Sequence, residues 1–450
     1  MKIGLIGNMN NNNFALMRYF RDLGEDAHLL LYTNDGQGTL NHFKPESDTW
    51  EIEKWLPYIH QTEIPNAPVA ALDFPLSWLM GYRSVIRAKI GLQDTFVRPV
   101  SKGQICHAYK GYDCLIASGI TPATLMRTNM KLDIFYPYAN NVEFLNAGEF
   151  VRRLSVAKKL TKRVLKWIQI KQKEGIRQAS KTLNFEQGMT QNTLKNIGVN
   201  PIILAIPMVY SGNKLPYEPP NDRLTNAYRM ISTSSISILH HARLLWKNNG
   251  KFSDEDWRFE SKNSDWFIRA FSKFISLRPN AHPRLFIAEY GPDVEATKEL
   301  VSELAITDYV TWLPKMQRRE LMWLLSRVSI VVGEFYDVPK MTWGGTGWEA
   351  LASGKPLLQG FNFKDGEFEE IFGYPSPPML SVRREKDILK HLLEITDHPE
   401  KIEEIGKGAR EWFNHYNGIG LAKQWLNLLI KPDIDVTQLD IQTLNTSVEA

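Results

Sequence analysis

The sequence predicts an α/β protein made of two doubly wound parallel-sheet domains. Three observations lead there. At 450 residues the chain exceeds what one ordinary core fills. Short apolar runs alternate with amphipathic helical stretches along most of its length. A Pro-rich polar passage, "KLPYEPPNDRLTNAY" at 214–228, separates two such series. The expected division is 1–215 for the first domain and 226–410 for the second, with a cleft between them. Residues 411–450 are expected to add a helix and an aperiodic tail.

The first series opens with "KIGLIG" as a buried strand, an asparagine-rich loop, a helix stopped at Gly24 and the strand "AHLLLY". This βαβ opening lacks the G-x-G-x-x-G pattern, so a dinucleotide site is not expected; its asparagines tolerate left-handed backbone. Strand-like "DCLIAS" and "LDIFYPY" follow. Between Val151 and Lys181 stand eleven Lys or Arg against one Glu, with Val156, Leu160, Val164, Trp167 and Ile168 at helical spacing. Two readings of this basic amphipathic helix stay open: attachment to an anionic membrane surface, or a solvated face whose apolar stripe packs on its own domain.

The second series runs through "SISILHHARLLW", "WFIRAFSKFISLRP", "PRLFIAEYG", "VEATKELVSELAI", "YVTWLP", "RRELMWLLSRV", "SIVVGEF" and "KPLLQGF". Strand and helix alternate as in an open parallel sheet with helices on both faces.

Composition narrows the function. Hydrophobic residues make up 43% and charged residues 23%, as in a soluble globular protein. A formal net charge of +4 does not call for a nucleic-acid partner. Cys106 and Cys114, the only cysteines, form neither a C-x-x-C nor a His/Cys cluster, so reduced thiols in the cytoplasm are expected. No apolar run is long enough for a signal peptide or a membrane span. His60 and His107 have no recognisable partner.

The densest motif is "WGGTGWEALASGKP", Trp343 to Pro356. Thr346 and Glu349 match a Thr-x-x-Glu capping box, and Gly354 with Pro356 marks the helix end. The same glycines leave a helix N-terminus free of side chains after a buried strand, where a diphosphate finds free amides and a favourable dipole. Arg243, after the first strand of this series, and Lys262, just before the next helix, suit such an anion: one offers bidentate geometry and the other a point charge.

The ordered set "HHARLLW", "SKNSDWFIRAF", "LFIAEYGPD", "YVTWLPKM" and "GGTGWEALASGKPLL" resembles the nucleotide-sugar half of family 4 retaining glycosyltransferases, which have the GT-B fold. It spans about the C-terminal 180 residues; the N-terminal half matches only in its βα rhythm. The resemblance implies that Arg243 and Lys262 neutralise the donor diphosphate and support the leaving group. It implies Glu349 on the ribose hydroxyls, with Gly345, Thr346 and Gly347 offering amides to phosphate and sugar. Tyr290, Gly291 and Pro292 would lie beside the donor, and Leu313, Pro314 and Lys315 would border the base.

Two departures stand out. A glutamate that the family places eight positions before Glu349 is Met341 here, so Glu334 or Asp337 would have to grip the donor sugar. The insertion "KNNGKFSDEDWRFE" makes Lys247 and Lys251 rivals of Lys262, which is preferred because it adjoins the helix start. Asp254-Glu255-Asp256, inside the insertion, matches an Asp-x-Asp metal pattern, but no metal and no cofactor is expected, since Arg243 and Lys262 can take a cation's role.

In the first domain, polar groups at strand ends mark the acceptor side: Asn8, Asn13, Ser118, Gly119, Asn140 and Asn141, each of which also suits a turn or cap. The expectation is a cytoplasmic glycosyltransferase of cell-surface polysaccharide or glycoconjugate synthesis. It would take a nucleotide-sugar donor and a glycan or lipid-linked acceptor, and would sit peripherally on the inner leaflet through 151–181. The rivals are a nucleotide-sugar epimerase of the same fold and a membrane-surface binding protein with a degenerate donor site.

Overall fold

The computed structural model describes residues 1–33, 44–73, 100–138, 159–184, 189–250 and 252–430. The chain divides into two compact units. The first holds Met1–Lys44, Ile52–Pro207 and Leu421–Ala450; the second holds Pro45–Glu51 and Met208–Gly420. Two details differ from the expected boundaries. Residues 45–51 belong to the second unit although first-unit chain flanks them. The helix Ile419–Ile430 enters the first unit, where fully buried Trp425 donates its indole N–H to the Ala205 carbonyl at 2.9 Å and meets Tyr136 edge-on. Burying that indole holds the helix there.

The first unit is a seven-stranded sheet in the order β3-β2-β1-β4-β5-β6-β7, every described pair parallel. Its strands are β1 Lys2–Ile6, β2 Asp26–Leu31, β3 Ile59–Gln61, β4 Cys114–Ala117, β5 Ile134–Phe135, β6 Lys181–Asn184 and β7 Ile202–Ile203. Ile3 to Ile6 and all of β4 are buried, as strands covered on both faces must be. Helix α1, Asn12–Asp22, links β1 to β2; α2 is Thr121–Leu125 and α3 is Lys159–Gln178.

Helix α3 is the basic helix of the sequence, and its described apolar stripe packs within its own unit. Ile168 is buried, and Val164 and Trp167 lie against Ala71, Leu72, Ile120 and Ala123. A side chain at Gly175 would come within 2.5 Å of the Pro122 carbonyl oxygen, so glycine lets α3 press onto α2. Gln172 accepts from the Ala123 N–H and donates to the Gly119 carbonyl. Val156 lies outside the described residues. No helix among the described residues is long and apolar enough to cross a membrane.

The second unit is a six-stranded parallel sheet, β10-β9-β8-β11-β12-β13. Here β8 is Ile236–His240, β9 Pro283–Ala288, β10 Val310–Leu313, β11 Ile330–Val332, β12 Leu357–Gly360 and β13 Leu380–Val382. Period-two alternation sends Ile238, Leu285 and Val332 to one core and Leu239, Phe286 and Val331 to the other. Helix α4, Asp254–Glu260, is the C-terminal half of the insertion; α5, Ser264–Leu277, buries Phe267, Phe271 and Phe274. Helices α6, Arg318–Leu325, and α7, Gly345–Ala352, supply Trp323, Leu324 and Leu351 to the opposite core. The strand order reverses between β8 and β11, where Val332 pairs with His240. The segments leaving these two strands therefore start side by side and run to opposite flanks, the crevice where open α/β sheets bind ligands.

Candidate functional site

The second unit gathers most of the expected donor residues at that crevice. Arg243, three residues past β8, is exposed and makes no hydrogen bond or ion pair among the described residues. Its loop is nonetheless fixed. The Leu244 N–H donates to the Tyr290 carbonyl at 2.8 Å, and the buried Asp293 carboxylate accepts from the amides of Trp246 and Lys247 at 2.6 and 2.8 Å. Gly291 has a φ of +125°, and a Cβ there would lie 2.3 Å from the Leu244 oxygen. The loop Tyr290-Gly291-Pro292 thus lies against the segment that carries Arg243. Beside it, Lys315 places its ammonium 5.0 Å from the centre of the exposed Tyr290 ring, while Pro314 is exposed and Leu313 is buried.

Lys262 is pinned from two sides. Its N–H donates to the Leu245 carbonyl and its own carbonyl accepts from the Phe335 N–H. Its ammonium lies 3.3 Å from a Glu334 carboxylate oxygen and donates to the Tyr336 hydroxyl, which in turn donates to the other Glu334 oxygen at 2.5 Å. Burial first, and Glu334 next, push the Tyr336 phenol far up, so it stays protonated and serves as donor. Asn263, at φ +43°, turns the chain into α5 and donates to the Phe335 carbonyl at 2.6 Å. The insertion ends in α4, whose acidic first turn is Asp254, Glu255 and Asp256 and whose Arg258 donates to the Asp337 carbonyl at 2.8 Å. Lys247 is exposed over Trp246, and Lys251 lies outside the described residues.

Glu334 is buried, and buried Gln359 fixes its backbone by accepting from its N–H at 3.1 Å and donating to its carbonyl at 2.7 Å. A Cβ on Gly344 would sit 3.5 Å from a Glu334 oxygen, which puts this carboxylate beside the start of α7. Asp337, by contrast, leaves 69% of its side chain in solvent.

The capping box expected for Thr346 and Glu349 does not form. Helix α7 starts two residues earlier than that box requires, with Gly344 as N-cap and no side-chain cap, so Thr346 is its second residue and Glu349 its fifth. Glycine serves at an N-cap nearly as well as threonine, which leaves the sequence pattern ambiguous. Gly347 is buried, its N–H turns back to the Gly344 carbonyl, and a Cβ there would fall 2.5 Å from Trp343. Its amide is therefore committed to the turn; Gly345 and Thr346 head the helix, where amides have no intrahelical partner.

Glu349 points sideways from α7 into a buried ionic group. Arg318 Nε donates to one of its oxygens at 2.9 Å, and His241 Nε2 lies 3.1 Å from the other. Arg318 also reaches Asp48 at 3.0 Å. Burial works against ionisation of Glu349, but His241 and Arg318 outweigh it and hold its carboxyl below the usual range. Burial likewise opposes the Arg318 charge, and Asp48 and Glu349 overcome it. Adjacent His240, wholly buried and with no hydrogen-bond partner for either ring nitrogen among the described residues, is pushed down to about 3 by burial and stays neutral.

In the first unit the expected acceptor-side groups are largely occupied. Asn13 donates to the carbonyls of Ile6 and Gly7 at 3.0 and 2.8 Å and accepts from the Tyr136 hydroxyl. Asn8 accepts from the Phe14 N–H and donates to Asn11. Asn10 and Asn11 have left-handed φ values of 51° and 60°, a conformation that asparagine tolerates. The Ser118 carbonyl accepts from Thr121, and Gly119, at φ +65°, sits against Asn66. Asn140 and Asn141 lie outside the described residues. His60 does have a partner, since its Nε2 is 2.8 Å from His28 Nδ1 across the β2–β3 edge.

Sequence reading missed His241, Arg318, Asp48, Tyr336 and Gln359. Only His241, next to the Arg243 segment, carried a local signal.

No family model matches the chain, and no curated protein matches it by sequence. Solved structures do match over nearly its whole length. HepE of Anabaena in complex with UDP-glucose is 13% identical, covers 96% of this chain and 99% of its own, and superposes with a TM-score of 0.53. A glycosyltransferase from Rickettsia africae gives 12%, 96%, 98% and 0.51, and sucrose-phosphate synthase from Thermosynechococcus elongatus gives 13%, 95%, 98% and 0.52. Together with the two doubly wound sheets, these likenesses establish the fold: the chain has the GT-B architecture.

Proposed function

We propose that the protein is a glycosyltransferase that moves a sugar from a nucleotide-diphosphate donor to an acceptor hydroxyl, with retention at the anomeric carbon. The observation that carries this reading is the grouping at the β8–β11 crevice: an Arg243 unpaired among the described residues, a pinned Lys262 and the uncapped N-terminus of α7 within one unit. Such a set suits a diphosphate, and a relative in fold, HepE, was solved with UDP-glucose. Arg243 and Lys262 would stabilise charge growing on the departing diphosphate without a metal ion. Glu349 would accept from the ribose hydroxyls. Glu334, buried beside Lys262 and Gly344, would meet the donor sugar in place of the carboxylate absent at Met341, a role its position supports better than that of exposed Asp337.

A glycan or lipid-linked acceptor and a part in cell-surface polysaccharide or glycoconjugate synthesis belong to the same proposal. For membrane contact only the charged face of α3 is proposed, because Val164, Trp167 and Ile168 are used within the unit. Binding to anionic vesicles should then vanish at high salt; retention on neutral vesicles would refute it. The enzyme reading is tested with a panel of UDP-, GDP- and ADP-sugars. Binding and slow hydrolysis of one of them is the expected result, and failure to bind or hydrolyse any would overturn it.

A further inference from the structure

The segment Pro45–Glu51 reaches the second unit across a long stretch of first-unit sequence, and it is secured there at several points. Trp50 donates its indole N–H to the Arg319 carbonyl at 3.2 Å and lies under the Arg319 guanidinium. Asn213 donates to the Asp48 carbonyl, and the Lys214 N–H donates to Glu51. The buried product of this docking is the Asp48 carboxylate, 1% exposed, against Arg318.

We propose that Asp48 and Arg318 are positioning residues for the donor nucleotide, so that a short piece of the N-terminal sequence completes the ribose subsite. This rests on the reading of Glu349 as the ribose-binding carboxylate. A carboxylate has about four lone-pair positions over two oxygens. Arg318 takes one on the first oxygen and His241 one on the second, which leaves one on each, the number that a vicinal diol engages. Arg318 can hold this arrangement because its guanidinium is itself fixed, with Nη1 on Asp48 at 3.0 Å and on the Met208 carbonyl at 3.3 Å. Asp48 thus acts through Arg318 and touches no donor atom. Removing it loosens the guanidinium so that Arg318 Nε can leave the Glu349 oxygen, and the diol then meets a carboxylate of undefined orientation.

The test compares the protein's affinity for UDP, GDP or ADP, whichever binds tightest, with its affinity for the 2′,3′-dideoxy counterpart. The unaltered protein should prefer the ribonucleotide by about tenfold or more, the scale of a hydrogen bond to an ionised group. Asp48→Asn, nearly isosteric, should remove most of that preference while binding the dideoxy nucleotide as before; Arg318→Lys should do the same more completely. A role confined to holding the fold would weaken both nucleotides alike, and that outcome, or an unchanged preference in Asp48→Asn, overturns the proposal. Glu349→Gln separates the two levels. If it too leaves the preference intact, the ribose reading of Glu349 fails and takes this inference with it. If it abolishes the preference while Asp48→Asn keeps it, only the inference fails.

Discussion

The two units repeat one topology and spend their switch-point side chains differently. In the first, the asparagines after β1 bond to the loop that carries them: Asn13 braces Ile6 and Gly7, and Asn8 braces Phe14. In the second, the segment after β8 leaves Arg243 unpaired among the described residues, and its neighbours hold Lys262 in place. Topology creates a crevice in both, but among the described residues only the second backs exposed charge with buried, oppositely charged support. A crevice becomes a binding site when its polar groups are oriented without being used up.

The largest effect that would sharpen this contrast concerns turnover. Arg243→Ala with Lys262→Ala should lower glycosyl transfer by about 100- to 1000-fold or more, on the scale of losing preorganised electrostatic stabilisation. Asn13→Ala should instead cost about 1–3 kcal/mol of stability, read as a lower Tm, and leave donor affinity unchanged. A donor-affinity loss in Asn13→Ala as large as that in the double variant would erase the distinction between the units.

Next comes the start of α7. Gly347→Ala drives a Cβ into Trp343 and should destabilise by about 1–3 kcal/mol. Gly345→Ala meets nothing within 4 Å and should stay within about 0.5 kcal/mol. Thermal melts of the two variants decide it, and equal melts would contradict the packing described here.

A further effect is on pH dependence. His240 titrates near 3 when folded against an ordinary 6.5, so the unfolded chain takes up its proton first. Stability should therefore fall as pH drops from 6.5 toward 3. Glu349, depressed below 4.5, adds to the loss only under that value. His240→Leu should flatten the slope between pH 6.5 and 4.5 in denaturant titrations; an unchanged slope would show that the ring is hydrated.

Much of this was legible in the sequence, for physical reasons that also explain the rest. Apolar period and helix breaks are local, so the βα rhythm of both units could be read directly. Lys262 could be placed because it precedes an amphipathic helix, and the left-handed Asn263 that turns the chain there is its neighbour. The capping pattern at Thr346 misled because glycine caps equally well and the choice was made by Gly347 packing under Trp343. Arg318 and Asp48 stand 270 positions apart, and no local periodicity links them. Tyr336, two residues from Glu334, is close in sequence, but its role depends on Lys262, 74 positions away. Residues that touch a ligand tend to sit in recognisable loops, whereas those that orient them are assembled by the fold.

The central claim is that a donor diphosphate binds at the β8–β11 crevice of the second unit, and calorimetric titration of the preferred nucleoside diphosphate tests it most directly. Arg243→Ala should weaken binding by about tenfold or more, while Asn8→Ala in the first unit leaves it unchanged. Undiminished binding in Arg243→Ala would contradict the account.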